Sequence, residues 1–277
     1  MAIDLNIEFR RKEKHPFHIV DASPWPFFGS LAAFCITFGF VMYMHFYSSY
    51  GFELFSLGMV MLIGVMVVWW RDVIRESAFE GYHSDYVRQG LKMGMILFIA
   101  SEVMFFFAFF WSFFHSSLNP VIEIGCVWPP HGIIAINPWH VPLLNTFILV
   151  TSGAFITWTH YSILAGYRKD SIKSLVYTII LALIFTLLQA YEYSVSPFNI
   201  SDSVYGSVFY MTTGLHGSHV LIGTIFLIVC LIRLVAHQFT RTFHVGFECA
   251  SWYWHFVDIV WIFVYFFIYW WGFPANG

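Results

Sequence analysis

An all-α protein that crosses a membrane seven times is the fold this sequence predicts. Its 277 residues are 59% hydrophobic and only 10% charged, whereas a soluble domain carries about 25% charged residues. So few charges cannot cover a water-soluble surface, which excludes a soluble enzyme. Seven apolar runs each reach the roughly 20 residues that a helix needs to span a bilayer. The 13 Lys and Arg residues fall before the first run, in alternate gaps after it, or at the run ends that border those gaps. A formal net charge of −3 leaves no basic footprint for nucleic acid, so no nucleic-acid partner is expected.

The expected spans are Trp25–Ser48, Phe52–Trp70, Gly90–His115, Val141–Ala165, Ser171–Ser194, Val204–Val235 and Ala250–Gly272. Continuous apolar runs of this length indicate helices, since barrel strands are shorter and alternate. Pro24 and Pro26 flank Trp25 at the first helix start, where a missing N–H costs little. Trp69–Trp70 and Trp270–Trp271 stand at helix ends and read as interfacial anchors.

Arg10, Arg11, Lys12 and Lys14 precede span 1, and Arg71, Arg75, Arg88 and Lys92 follow span 2. Arg168, Lys169 and Lys173 follow span 4, while Arg233 and Arg241 lie at or after the end of span 6. A missed or invented span would scatter these charges over both faces. The positive-inside rule then puts the N-terminus inside and the C-terminus outside. The short link Ser49–Gly51 makes spans 1 and 2 an antiparallel hairpin. The chain reads as one membrane domain, residues 1–277, with a hairpin at 25–70 and helices 3–7 at 90–272. The polar Arg71–Gln89 stretch is the expected division between them. The outer loop Ser116–His140 contains Pro120, Trp128, Pro129, Pro130 and Pro138, and such a constrained, partly apolar loop packs on a partner or on its own protein.

No closely spaced cysteine pair joins Cys35, Cys126, Cys230 and Cys249, which argues against an iron–sulfur cluster or an attached c-type haem. A stacked haem pair would need histidines about 13 positions apart on each helix, from about 20 Å of separation at 1.5 Å per residue. None of the 13 histidines has a partner at that spacing. No metal site is expected in this chain.

Glu102 is the outlier, an acid near the middle of span 3 followed by Phe105–Phe107. A charge at membrane depth is costly, so such a residue is a functional candidate. A carboxyl hydrogen-bonded to a neighbouring helix is the equally weighted structural alternative. His219 in span 6 is its expected partner. Glu102 lies about 18 Å from the inner start of span 3, and His219 about 21 Å from Arg233, by helical rise. Gly214, Gly217 and Ser218 beside His216 and His219 also suit simple close helix packing. His255 and Asp258, three apart, are expected to hydrogen-bond each other. Glu192, near the outer end of span 5, is expected to be interfacial. Arg75, Glu76 and Arg233 lie at the inner side, where guanidinium suits a lipid phosphate and snorkelling toward water is the plainer reading.

Several segments are specific. They include Trp69-Trp70-Arg71-Asp72-Val73-Ile74-Arg75-Glu76, Ile99-Ala100-Ser101-Glu102 and Trp128-Pro129-Pro130. Others are Gly214-Leu215-His216-Gly217-Ser218-His219-Val220 and Trp252-Tyr253-Trp254-His255-Phe256-Val257-Asp258. With these the chain resembles the cytochrome c oxidase subunit III family of the haem-copper oxidase superfamily, nearest its mitochondrial form. The resemblance covers nearly the whole chain. It implies a two-helix hairpin set apart from five helices by a cleft holding bound phospholipid. It also implies no catalytic residue, haem or copper in this chain, because those centres belong to the catalytic subunits I and II. With these partners, and with accessory subunits, the complex would pass electrons from cytochrome c to oxygen and pump protons. This subunit would stabilise the core and support proton uptake from the inner side. The family's intramembrane carboxylate matches Glu102, and its lipid-binding positions match Arg75 and Arg233, with Glu76 beside them and His219 a weaker match. The mitochondrial inner membrane is the implied location, a bacterial plasma membrane the alternative. A quinol-oxidase subunit and a proton-coupled transporter are the competing readings. Some members of the first lack two helices present here, and the second should show inverted repeats or broken helices.

Overall fold

The computed structural model describes residues 15–46 and 50–273. The basic cluster Arg10–Lys14, the Ser48–Ser49 part of the first link and the last four residues lie outside them. Among the described residues there are seven helices long and apolar enough to cross a membrane. They are α1 (Trp25–Met44), α2 (Gly51–Ala78), α3 (Asp85–Leu118), α4 (Val141–Ala165), α5 (Arg168–Val195), α6 (Ser203–Val235) and α7 (Val245–Val264). A π-helical segment, Tyr265–Trp271, continues α7.

Several helices outrun their apolar spans. Helix α2 continues through Arg71–Ala78, so Arg75 and Glu76 sit on its last turns rather than after it. Helix α3 starts at Asp85 and α7 at Val245, each five residues before the apolar boundary. Polar side chains at these ends are exposed or meet protein partners, as Asp72 meets Trp25 and Glu248 meets Lys92, while the backbone keeps its internal hydrogen bonds, so polarity does not terminate the helix.

The chain forms two compact units, Met1–Leu91 and Lys92–Gly277. In the first, α1 and α2 pack as a hairpin through glycines. A Cβ on Gly39 would run into the backbone of Phe55, one on Gly51 into Tyr43, and one on Gly58 into Ile36. Such close approach lets backbones make van der Waals contact where lipid supplies no hydrophobic drive. The Trp25 indole donates to Asp72 Oδ2 at 2.7 Å, tying the start of α1 to the far end of α2.

In the second unit α7 is the most enclosed helix. Trp254, Trp261, Phe185, Phe209, Leu149 and Ile156 are fully buried around it. The Trp254 indole donates to Ser152 Oγ at 2.9 Å and the Trp261 indole to Thr146 Oγ1 at 3.0 Å, since a buried indole N–H needs a partner. Gly166 turns α4 into α5 with φ of 81°, a left-handed conformation suited to glycine. The Ser116–His140 loop packs on its own unit, with Trp128 against Phe113 (5.6 Å) and Tyr205 (5.3 Å).

Candidate functional site

The α3 register brings Glu102 to α6. His219 Nε2 lies 2.8 Å from Glu102 Oε2, and the rings of Phe106, Tyr253 and Phe256 surround the imidazole at 5.0–6.2 Å. Two of those rings come from α7, so three helices build the pocket. The His219 side chain is 8% exposed and that of Glu102 20%.

Hydrogen-bond roles follow from the other imidazole nitrogen. His219 Nδ1 lies 2.8 Å from the Leu215 carbonyl one turn earlier. A carbonyl only accepts, so Nδ1 carries a proton and donates. Nε2 then either accepts from a neutral carboxyl or, protonated, donates to a carboxylate. Both forms place one proton between the two groups, and both leave the pair with zero net charge. The pair thereby meets the cost of an acid at membrane depth. Neighbouring His216 is committed elsewhere, with Nε2 donating to the Val257 carbonyl at 3.2 Å.

Arg75 is mostly exposed and pairs with Glu80 at 2.9 Å. Glu76 faces His18 at 4.0 Å. In the second unit, Arg233 folds back on its own helix end. Its Nε donates to Gln238 Oε1 at 3.1 Å, and its guanidinium lies 4.5 Å from the centre of the Phe239 ring. That stacking fixes a planar cation, and a guanidinium is a group suited to bidentate bonding of a phosphate.

Two expectations are corrected. Glu192 is not interfacial: it is 2% exposed and accepts from Tyr269 Oη at 2.6 Å and Gln189 Nε2 at 3.1 Å. Its position near the end of α5 suggested water, but α4 and α7 cover it, and Asn145 extends the network through Gln189. His255 and Asp258 are 3.9 Å apart, beyond hydrogen-bond distance, because the imidazole turns to Thr157 Oγ1 at 3.3 Å instead.

A further polar group was not singled out from sequence. His160 of α4 lies against His244, ring centres 5.6 Å apart. His244 Nε2 is 3.3 Å from Glu248 Oε1, and Lys92 pairs with the other oxygen of Glu248. The i, i+4 spacing of His244 and Glu248 was the available signal, and only the fold adds Lys92 and His160.

The family described as cytochrome c oxidase subunit III matches residues 15–273. The chain belongs to that family. A relative named cytochrome c oxidase subunit 3 from Prototheca wickerhamii is 61% identical, covering 94% of this chain and 98% of that one. Relatives of the same name from Triticum aestivum and Branchiostoma lanceolatum are 58% and 54% identical over the same shares. The family is part of the oxidase complex, an oxidoreductase, and its subunit III is non-catalytic with no redox cofactor of its own. With seven spans, the chain is a multi-pass protein of the mitochondrial inner membrane.

Proposed function

We propose that the chain is a lipid-binding structural subunit that stabilises catalytic subunits I and II and supports proton uptake on the inner face. Those partners, with accessory subunits, hold the haems and coppers, reduce oxygen to water with electrons from cytochrome c and pump protons. The N-terminus is inside and the C-terminus outside, which puts Arg75, Glu76 and Arg233 at the inner membrane surface. There Arg75 and Arg233 bind phospholipid phosphate, with Glu76 shaping the charge beside Arg75.

The closed Glu102–His219 pair carries the structural part of this reading. It shares one proton within itself, and between Lys92 and His115 helix α3 has no other acid or base. A proton route needs successive groups or waters within hydrogen-bond reach. A pair that satisfies itself joins α3 to α6 instead. The lipid component is tested in the intact complex with Arg75→Gln plus Arg233→Gln. Tightly bound phospholipid should fall and activity should decay sooner during turnover, at nearly unchanged initial rate. Unchanged phospholipid content would leave both arginines as ordinary snorkelling residues.

A further inference from the structure

The first unit contains a second convergence of polar side chains, unrelated to Glu102. His18 comes from the segment before α1, Glu76 from the last turns of α2, and His83 from the turn before α3. One ligand-type atom from each lies within 4.8 Å of the other two, and all three residues are half-buried. His18 Nδ1 and Glu76 Oε2 are separated by 4.0 Å, too far for a hydrogen bond. Ligand atoms around a tetrahedral ion at bonds of about 2.0–2.2 Å stand about 3.4 Å apart. The three atoms, at most 4.8 Å apart, therefore need to close by no more than about 1.4 Å, within reach of side-chain rotations.

The scaffold holds them in place. Ser84 Oγ donates to the Pro16 carbonyl, and the Trp25 indole donates to Asp72, so the segment carrying His18 is pinned on both sides. The Tyr82 ring stacks on His18 at 5.0 Å and 10°. The Tyr82 N–H bonds back to the Glu76 carbonyl at 3.1 Å. The charge around the group favours a cation. Asp21, Asp72 and Glu80 all act on Glu76, whereas the arginines alongside, Arg71 and Arg75, pair with Asp72 and Glu80. Four carboxylates against two guanidiniums leave an excess of two negative charges among these residues. The His160–His244–Glu248 group differs, because Lys92 already neutralises its carboxylate.

We propose that His18, Glu76 and His83 bind one divalent transition-metal ion of the zinc type, which staples the N-terminal segment to the end of α2. Two imidazoles and one carboxylate suit zinc better than magnesium or calcium, which prefer oxygen-only ligands. A water takes the fourth position. Zinc has no redox chemistry, so the site is compatible with a subunit that carries no redox centre.

The test uses the assembled oxidase and Zn²⁺ alone. Crystals or grids of the wild-type complex prepared with micromolar Zn²⁺ should show a metal peak, anomalous in the crystal case, among the three side chains. Equilibrium dialysis with elemental analysis should show that His83→Gln and His18→Gln each lose one Zn²⁺ per complex relative to wild type, with haem and copper contents unchanged. No peak at this position in the wild-type complex would overturn the proposal, whatever the variants do. Unchanged Zn²⁺ stoichiometry in both assembled variants would overturn it as well.

Discussion

Truncating Glu102 tests whether the intramembrane pair is structural. Glu102→Ala removes the 2.8 Å contact to His219 and leaves Nε2 without a partner on a side chain only 8% exposed. Leaving a buried polar group unsatisfied costs about 1–3 kcal/mol, while interhelical hydrogen bonds in membranes average about 0.6 and reach about 1.7 kcal/mol. The expected loss is therefore about 1–2 kcal/mol, a factor of about 5–30 in the folded population. Glu102→Gln behaves differently. With His219 Nδ1 committed as donor to Leu215, Nε2 accepts, and an amide N–H donates to it in similar volume. The Gln cost should be well below that of Ala, because Nε2 keeps a partner. The assay is retention of the subunit in the purified oxidase across a denaturing-detergent titration, with oxygen reduction and proton pumping measured on the same preparations. Ala should be lost at lower detergent, and Gln should keep most of both activities. Gln dissociating as readily as Ala would refute the hydrogen-bond assignment. A fully assembled Gln variant that no longer pumps would show that Glu102 carries protons.

Three further outcomes are expected. A tag at Gly277 should be cut by protease only from the outer face and the Arg168–Lys173 loop only from the inner face; cleavage of both from one face would end the seven-span topology. Gly39→Val, which drives a side chain into the Phe55 backbone, should destabilise the hairpin by about 1–3 kcal/mol, as overpacking does. Gly64→Ala, with no heavy atom within 4 Å of the added Cβ, should be nearly silent in the same thermal unfolding comparison, and equal effects would deny the close α1–α2 contact. Tyr269→Phe should destabilise the five-helix unit by about 0.5–1.5 kcal/mol, because it removes the shorter of the two hydrogen bonds to the buried Glu192 carboxyl; a neutral result would show that Gln189 alone satisfies Glu192.

Helix number was legible because membrane spanning imposes both length and near-absence of charge, and the segregated Arg and Lys residues check the count. Helix ends were less legible. Nothing in Arg71–Ala78 or Val245–Cys249 is apolar enough to mark a span, yet each continues a helix whose backbone bonds do not depend on side-chain polarity. Glu102 stood out as a charge among phenylalanines, and equal helical depth pointed to His219. Glu192 was obscured because its burial comes from Tyr269 and Gln189, residues 77 and 3 positions away, and only the first is visible as tertiary contact. The His255–Asp258 expectation used helical spacing alone, and Thr157 on another helix competed successfully for the imidazole. Likewise, the group at His18, Glu76 and His83 comes from three segments, two of them joined by the Ser84–Pro16 bond, which no spacing rule reveals.

The non-redox role is tested most directly by dissociating this subunit from the purified oxidase and recording the absorption spectra of the two fractions. All haem absorbance should remain with the residual complex, and the isolated chain should show only its aromatic band. A haem Soret band that stays with the isolated chain would contradict that role.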